Sequence, residues 1–146
     1  MKNTIIWIVV ILVLVAGIFW YVNRPAEETP NLEEKEVSEP VVVVMNAQNN
    51  SGLTGVATLT DMNGVTSVEL DLTGAPKDIV QPAHIHFGSC AEIGEVAYPL
   101  ESPVNGVSKT TLNTSLGDIL TKLPLAINVH KSSEEAGVYV SCGDLL

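Results

Sequence analysis

From residue 41 onward the chain is written in period two. Short runs alternate apolar and polar residues and stop at turn signals, so successive side chains would point to opposite faces of a strand. "VVVVMNAQ" (41–48) is β-branched and ends at Asn-Asn-Ser-Gly. "GVATLTDM" (55–62) alternates and stops at Asn63-Gly64, a hairpin signal. "VTSVELDL" (65–72) sets Val68, Leu70 and Leu72 on one face. "AHIHF" (83–87), "EVAYPL" (95–100), "VSKTTLNT" (107–114), "LAINVH" (125–130) and "GVYVSC" (137–142) supply the remaining strands. One helix is expected in this part, over "SLGDILTKL" (115–123), with Ser115 as N-cap and Leu116, Ile119, Leu120 and Leu123 at helical spacing. About eight short strands with close turns predict an all-β fold, a Greek-key β-sandwich or flattened barrel.

The N-terminal part reads differently. Residues 4–22, "TIIWIVVILVLVAGIFWYV", are uncharged and almost wholly apolar. Nineteen helical residues rise about 28 Å, close to the hydrocarbon thickness of a bilayer. Trp7, Trp20 and Tyr21 lie near the ends of the run, where amphipathic rings favour the headgroup level. A cleaved signal peptide would carry a shorter apolar region ending in small residues. Here Ala16 and Gly17 lie inside the run and bulky residues follow, which favours an uncleaved anchor. Residues 1–23 are therefore expected to be a transmembrane anchor with a short cytoplasmic stub. Residues 24–40 hold six Glu and three Pro and read as an extended, self-repelling linker. Residues 41–146 form the expected extracytoplasmic β-domain, long enough for a sizeable core.

That domain has eleven Asp and Glu against four Lys, a net charge of −7. The balance argues against nucleic acid and anionic membrane surfaces as partners. Two cysteines outside the cytoplasm suggest one disulfide. Glycine-rich phosphate loops, Ser-His-Asp sets and paired acidic residues suited to acid–base work are absent.

The chemistry lies in the histidines, of which the chain has three. Residues i and i+2 of a strand share a face, so His84 and His86 project together and Ile85 projects oppositely. His130 ends "LAINV", and that strand end can reach the H-x-H strand. Three neutral imidazoles would suit copper first and zinc second, whereas calcium and magnesium want oxygen ligands. An H-x-H strand alone is more often a pair of surface or hydrogen-bonded histidines. Asn128 shares a strand face with His130 and could orient a ligand, although a polar edge residue is the plainer reading.

In order along the chain, these elements resemble the Cu/Zn superoxide dismutase fold family. "AHIHFG" resembles its G-F-H-V-H-E-F-G element, whose histidines bind copper. "LAINVHKSSE" resembles L-V-V-H-E-K-A-D-D, which holds another copper ligand. "AGVYVSCGDL" resembles A-G-S-R-L-A-C-G-V-I, which holds the second disulfide cysteine, and "GSC" supplies the first. The resemblance spans about residues 41–145. It implies copper at His84, His86 and His130 and a disulfide between Cys90 and Cys142. The chain is similar as well to the chordin-type domain, a dismutase-related β-domain in which the histidines would serve packing.

The departures from the pattern are specific. No fourth, bridging histidine is present, and between Cys90 and Tyr98 stands only "AEIGEVA", whose Glu92 and Glu95 are no recognisable zinc set. Tyr139 stands where the family has an arginine that guides superoxide, and a tyrosine offers no fixed positive charge at neutral pH. The expectation is a single-copper, dismutase-like domain with weak or no dismutase activity. Its alternatives are a copper-only superoxide dismutase, acting on superoxide, and a metal-free chordin-type interaction domain.

Overall fold

The computed structural model describes residues 13–15, 17–23 and 39–146. Residues 1–12, 16 and 24–38, which make up more than half of the expected anchor and nearly all of the expected linker, lie outside the described residues. The chain divides into two units, Met1–Lys35 and Glu36–Leu146. In the first, residues 13–15 and 17–22 are helical and their side chains are exposed. Among the described residues no helix is long and apolar enough to cross a membrane.

The second unit is built from eight antiparallel strands: β1 (Val41–Ala47), β2 (Thr54–Asp61), β3 (Thr66–Thr73), β4 (Ala83–Ser89), β5 (Glu92–Leu100), β6 (Val107–Leu112), β7 (Leu125–His130) and β8 (Tyr139–Leu145). They form one curled sheet in the order β5-β4-β7-β8-β1-β2-β3-β6. The chain leaves the first half after β3, builds the β4–β5 hairpin in the other half, returns for β6, and crosses again to β7 and β8. The core lies on the inner face of the curl. Val43 and Met45 of β1 and Leu70 of β3 meet Ile85 of β4 and Ile127 and Val129 of β7 there.

The alternation expected from the sequence is present in the burial. On β3, Val68, Leu70 and Leu72 are buried while Glu69 and Asp71 are exposed. The 115–123 helix shrinks to one turn, α1 (Leu116–Leu120). Ser115 caps it by accepting from the Asp118 amide at 3.1 Å, and Leu116 and Ile119 face the core. β5 starts at Glu92, three residues before its apolar pattern does. Pairing rather than pattern extends it: the hairpin runs on until Ser89 meets Glu92. Glycine permits this close approach. Gly88 sits at φ +94°, and a Cβ on it would lie 2.3 Å from the Glu92 carbonyl oxygen.

β7 departs from period two, since all six of its residues are buried. Its inner side chains enter the core, and its outer side chains are roofed. The roof includes the tip of the β4–β5 hairpin, which reaches across β7 to β8. There Cys90 and Cys142 are joined by a disulfide, and the Cys90 amide donates to Asp144 Oδ1 at 2.6 Å. Ala126 lies beneath this crossing with no exposed surface, between His86 on β4 and Asp144 on β8.

The disulfide closes a loop of 52 residues, worth about 4 kcal/mol in the chain-entropy account. Urea denaturation of the Cys90→Ser, Cys142→Ser variant should therefore show a stability loss of about 4 kcal/mol against the parent. A loss under about 1 kcal/mol would mean that the hairpin tip is held down by its other contacts.

Candidate metal centre

β4 and β7 pair directly, with Ala83 opposite Val129, His84 opposite Asn128 and His86 opposite Ala126. This register, with the alternation of side chains, sets His84 and His86 on the same outer face as Asn128 and His130. Ile85, between the histidines, has no exposed surface and lies in the core. The three sequence-predicted histidines thus converge. One ring nitrogen from each lies within 4.8 Å of the other two, and no Asp, Glu or Cys joins them among the described residues. Glu92 and Glu95 are exposed.

Hydrogen bonds assign the ring nitrogens. His86 Nδ1 donates to the Gly94 carbonyl at 3.0 Å. His130 Nδ1 donates to the Ala136 carbonyl. A carbonyl oxygen only accepts, so in each neutral ring the hydrogen is on Nδ1 and the lone pair is on Nε2. His130 Nε2 then accepts from His84 Nδ1 at 3.0 Å. His86 Nε2 is buried and has no partner at all. An unpaired lone pair in the interior is costly, and this one is free to accept a metal ion.

The chain places both carbonyl clamps locally. β5 carries extra residues opposite Ile85, His86 and Gly88, and such bulges bend a strand and re-aim its groups. The bulged segment contains Gly94, where a Cβ would stand 2.9 Å from the Phe87 carbonyl oxygen. His130 is clamped by the 131–138 loop. The Lys131 amide donates to the Val138 carbonyl, the Val138 amide to Glu135, and Lys131 Nζ pairs with Glu135 Oε1 at 2.8 Å. Sequence reasoning missed both clamps because a backbone carbonyl leaves no mark on residue identity.

Tyr139 is opposite His130 on β8, and their rings meet edge to face at 5.1 Å between centroids. The only cation next to His130 in sequence, Lys131, is already paired with Glu135. Asn128 is not at a sheet edge. It sits mid-strand, flanked by His84 on β4 and Cys142 on β8, with no exposed surface.

The three rings fit a metal ion in donor type, and their ring nitrogens, all within 4.8 Å of one another, are grouped closely enough to turn toward one ion. Nitrogens about 2.0–2.1 Å from one shared ion stand about 3.3–3.5 Å apart in tetrahedral or trigonal arrangements. The His84–His130 pair, at 3.0 Å, is a few tenths of an ångström closer than that, and small ring rotations open it to the required spacing. Binding also requires that the His84 hydrogen move from Nδ1 to Nε2, which is open to solvent exchange because His84 is only partly buried. Comparison with protein-family models, curated proteins and solved structures finds no match to this chain.

Burial holds the His84 ring below its ordinary pKa of 6.5, and the neighbouring His130 and His86 rings push the same way. Burial lowers His130 too; its bond to the Ala136 carbonyl opposes the shift and His86 adds to it. Both rings are neutral at pH 7. As pH falls through 6.5, the unfolded chain takes up protons at these positions before the folded chain does. The metal-free protein should therefore lose stability between pH 7 and the lowered folded-state values. Denaturation midpoints measured across that window should fall with pH, and a His130→Gln variant should flatten the slope.

Proposed function

We propose that this chain is a membrane-anchored, extracytoplasmic, superoxide dismutase-like domain that binds one copper ion through His84, His86 and His130, with weak or no dismutase activity. The observation that carries the reading is His86 Nε2, a buried lone pair without a partner, facing two further imidazoles. An all-imidazole donor set ranks copper above zinc by the affinity order of divalent ions. When bound, copper supplies one-electron redox chemistry. The chain's own residues fix the rings: the Gly94 and Ala136 carbonyls set the tautomers of His86 and His130, and the roof over β7 limits water.

Weak catalysis follows from the electrostatics. Superoxide is an anion, and residues 41–146 carry eleven acidic groups against four lysines. Tyr139, which carries no fixed positive charge, stands beside His130, and Lys131 is paired with Glu135. Storage, delivery or sensing of copper suits such a site better than fast turnover. The anchor is supported by the uncharged run at residues 4–22.

Purified full-length protein should bind one copper per chain, and His86→Ala should abolish that binding by metal analysis. Retention of copper by His86→Ala, or none in the parent, would leave the chordin-type interaction domain as the better reading. Copper-loaded protein should dismutate superoxide no faster than an equal amount of free copper; a rate well above it would establish a copper-only dismutase. In cell fractionation the full chain should partition with membranes and a chain starting at residue 24 should not.

A further inference from the structure

Asn128 is the least explained residue of the domain. It has no exposed surface, and both its Oδ1 and its Nδ2 are buried without a hydrogen-bond partner. An amide removed from water and left unpaired destabilises the fold. A leucine would fill nearly the same volume without that cost. Its place in the fold is equally specific. The outer face of β7 presents Ala126, Asn128 and His130; His84 stands directly across from Asn128 on β4, and Cys142 on β8. The amide is therefore in the middle of the histidine face, under the disulfide roof, with its polar atoms uncommitted.

The three imidazoles themselves do not use it. His84 and His130 bond to each other, His130 and His86 bond to backbone carbonyls, and none of these contacts involves Asn128. Three nitrogens satisfy reduced copper, whereas oxidised copper favours four or more nitrogen and oxygen donors in a tetragonal set. A side-chain carboxamide oxygen is a known weak copper ligand. Its NH2 group, by contrast, has no lone pair to offer.

We propose that Asn128 is the fourth arm of the site, its Oδ1 serving as the oxygen donor that lets the three histidines hold copper in the oxidised state. This rests on the copper reading above and adds an oxidation-state preference to it. Asn128 then acts as a ligand and not as a packing residue, and its orphaned oxygen in the metal-free fold is the cost of keeping that ligand in place.

The test compares the full-length parent with Asn128→Leu, Asn128→Asp and His86→Ala. Asn128→Leu should weaken Cu(II) binding by about 10- to 100-fold in chelator competition, while Cu(I) binding changes by less than about twofold. The Cu(II) electron paramagnetic resonance spectrum should change its copper hyperfine splitting, and Asn128→Asp, which keeps an oxygen donor, should recover the Cu(II) affinity. Metal-free Asn128→Leu should melt at or above the parent temperature, since it removes an unpaired amide. Unchanged Cu(II) affinity and spectrum in Asn128→Leu would overturn the inference, as would equal losses for both oxidation states. A lower melting temperature with unchanged Cu(II) binding would identify Asn128 as the anchor of a buried water instead. Copper binding absent from the parent, or indifferent to His86→Ala, would overturn the copper reading and this inference together; loss in His86→Ala alone would overturn only the inference.

Discussion

The pairing of β4 with β7 is the contact on which the rest depends. The two strands are separated in sequence by a hairpin, a returning strand and a helical turn, yet they are neighbours in the sheet. Their register sets a row of apolar side chains inward, where Ile85 and Ile127 meet the core, and a row of polar ones outward. Burial on the inner face determines the register, because a slip of one residue would turn each apolar side chain outward. The site is thus specified by the hydrophobic effect acting on the opposite face of the same strands. The histidines need contribute nothing to stability to be placed accurately.

The outer face would ordinarily be wet. Here the hairpin tip and the 131–138 loop lie next to it, and this turns a strand surface into an interior. His86 and His130 keep only 5% and 6% of their surface, while His84 remains partly exposed. Two consequences follow from one arrangement. Desolvation keeps the His84 and His130 rings neutral and available as donors, and partial exposure of His84 leaves one route by which an ion or a proton can reach the site.

Much of this was legible in the residues. The eight strands and the shared face of His84 and His86 come from periodicity, because burial on one side of a sheet writes itself into alternate positions; the reach of His130 comes from its place at a strand end, and the capping role of Ser115 from its residue type. The extension of β5 to Glu92 was not legible: "EIG" has no alternating apolar pattern, and its strand state comes from pairing with Gly88 and Ser89. The helix was read too long, since Leu123 fits the helical spacing but lies beyond the single turn that forms. Asn128 was read as an edge residue because polarity in a strand usually means exposure. It is fully buried instead, mid-strand between His84 on β4 and Cys142 on β8, partners that pairing brings to it from far along the chain. The carbonyl clamps of Gly94 and Ala136 were beyond any reading by residue type.

Those clamps also partition the site. His86 and Gly94 are eight residues apart and belong to one hairpin; His130 and Ala136 are six apart and belong to one loop. These two rings are therefore oriented by their own short stretches of chain, while His84 is held by its bond to His130 across the strand pair. The long-range demand reduces to a single quantity, the alignment of two strands. Such a site is modular: a hairpin carrying H-x-H with its bulge, and a strand ending in His with its loop, are two cassettes that any antiparallel pair of the same register could accept.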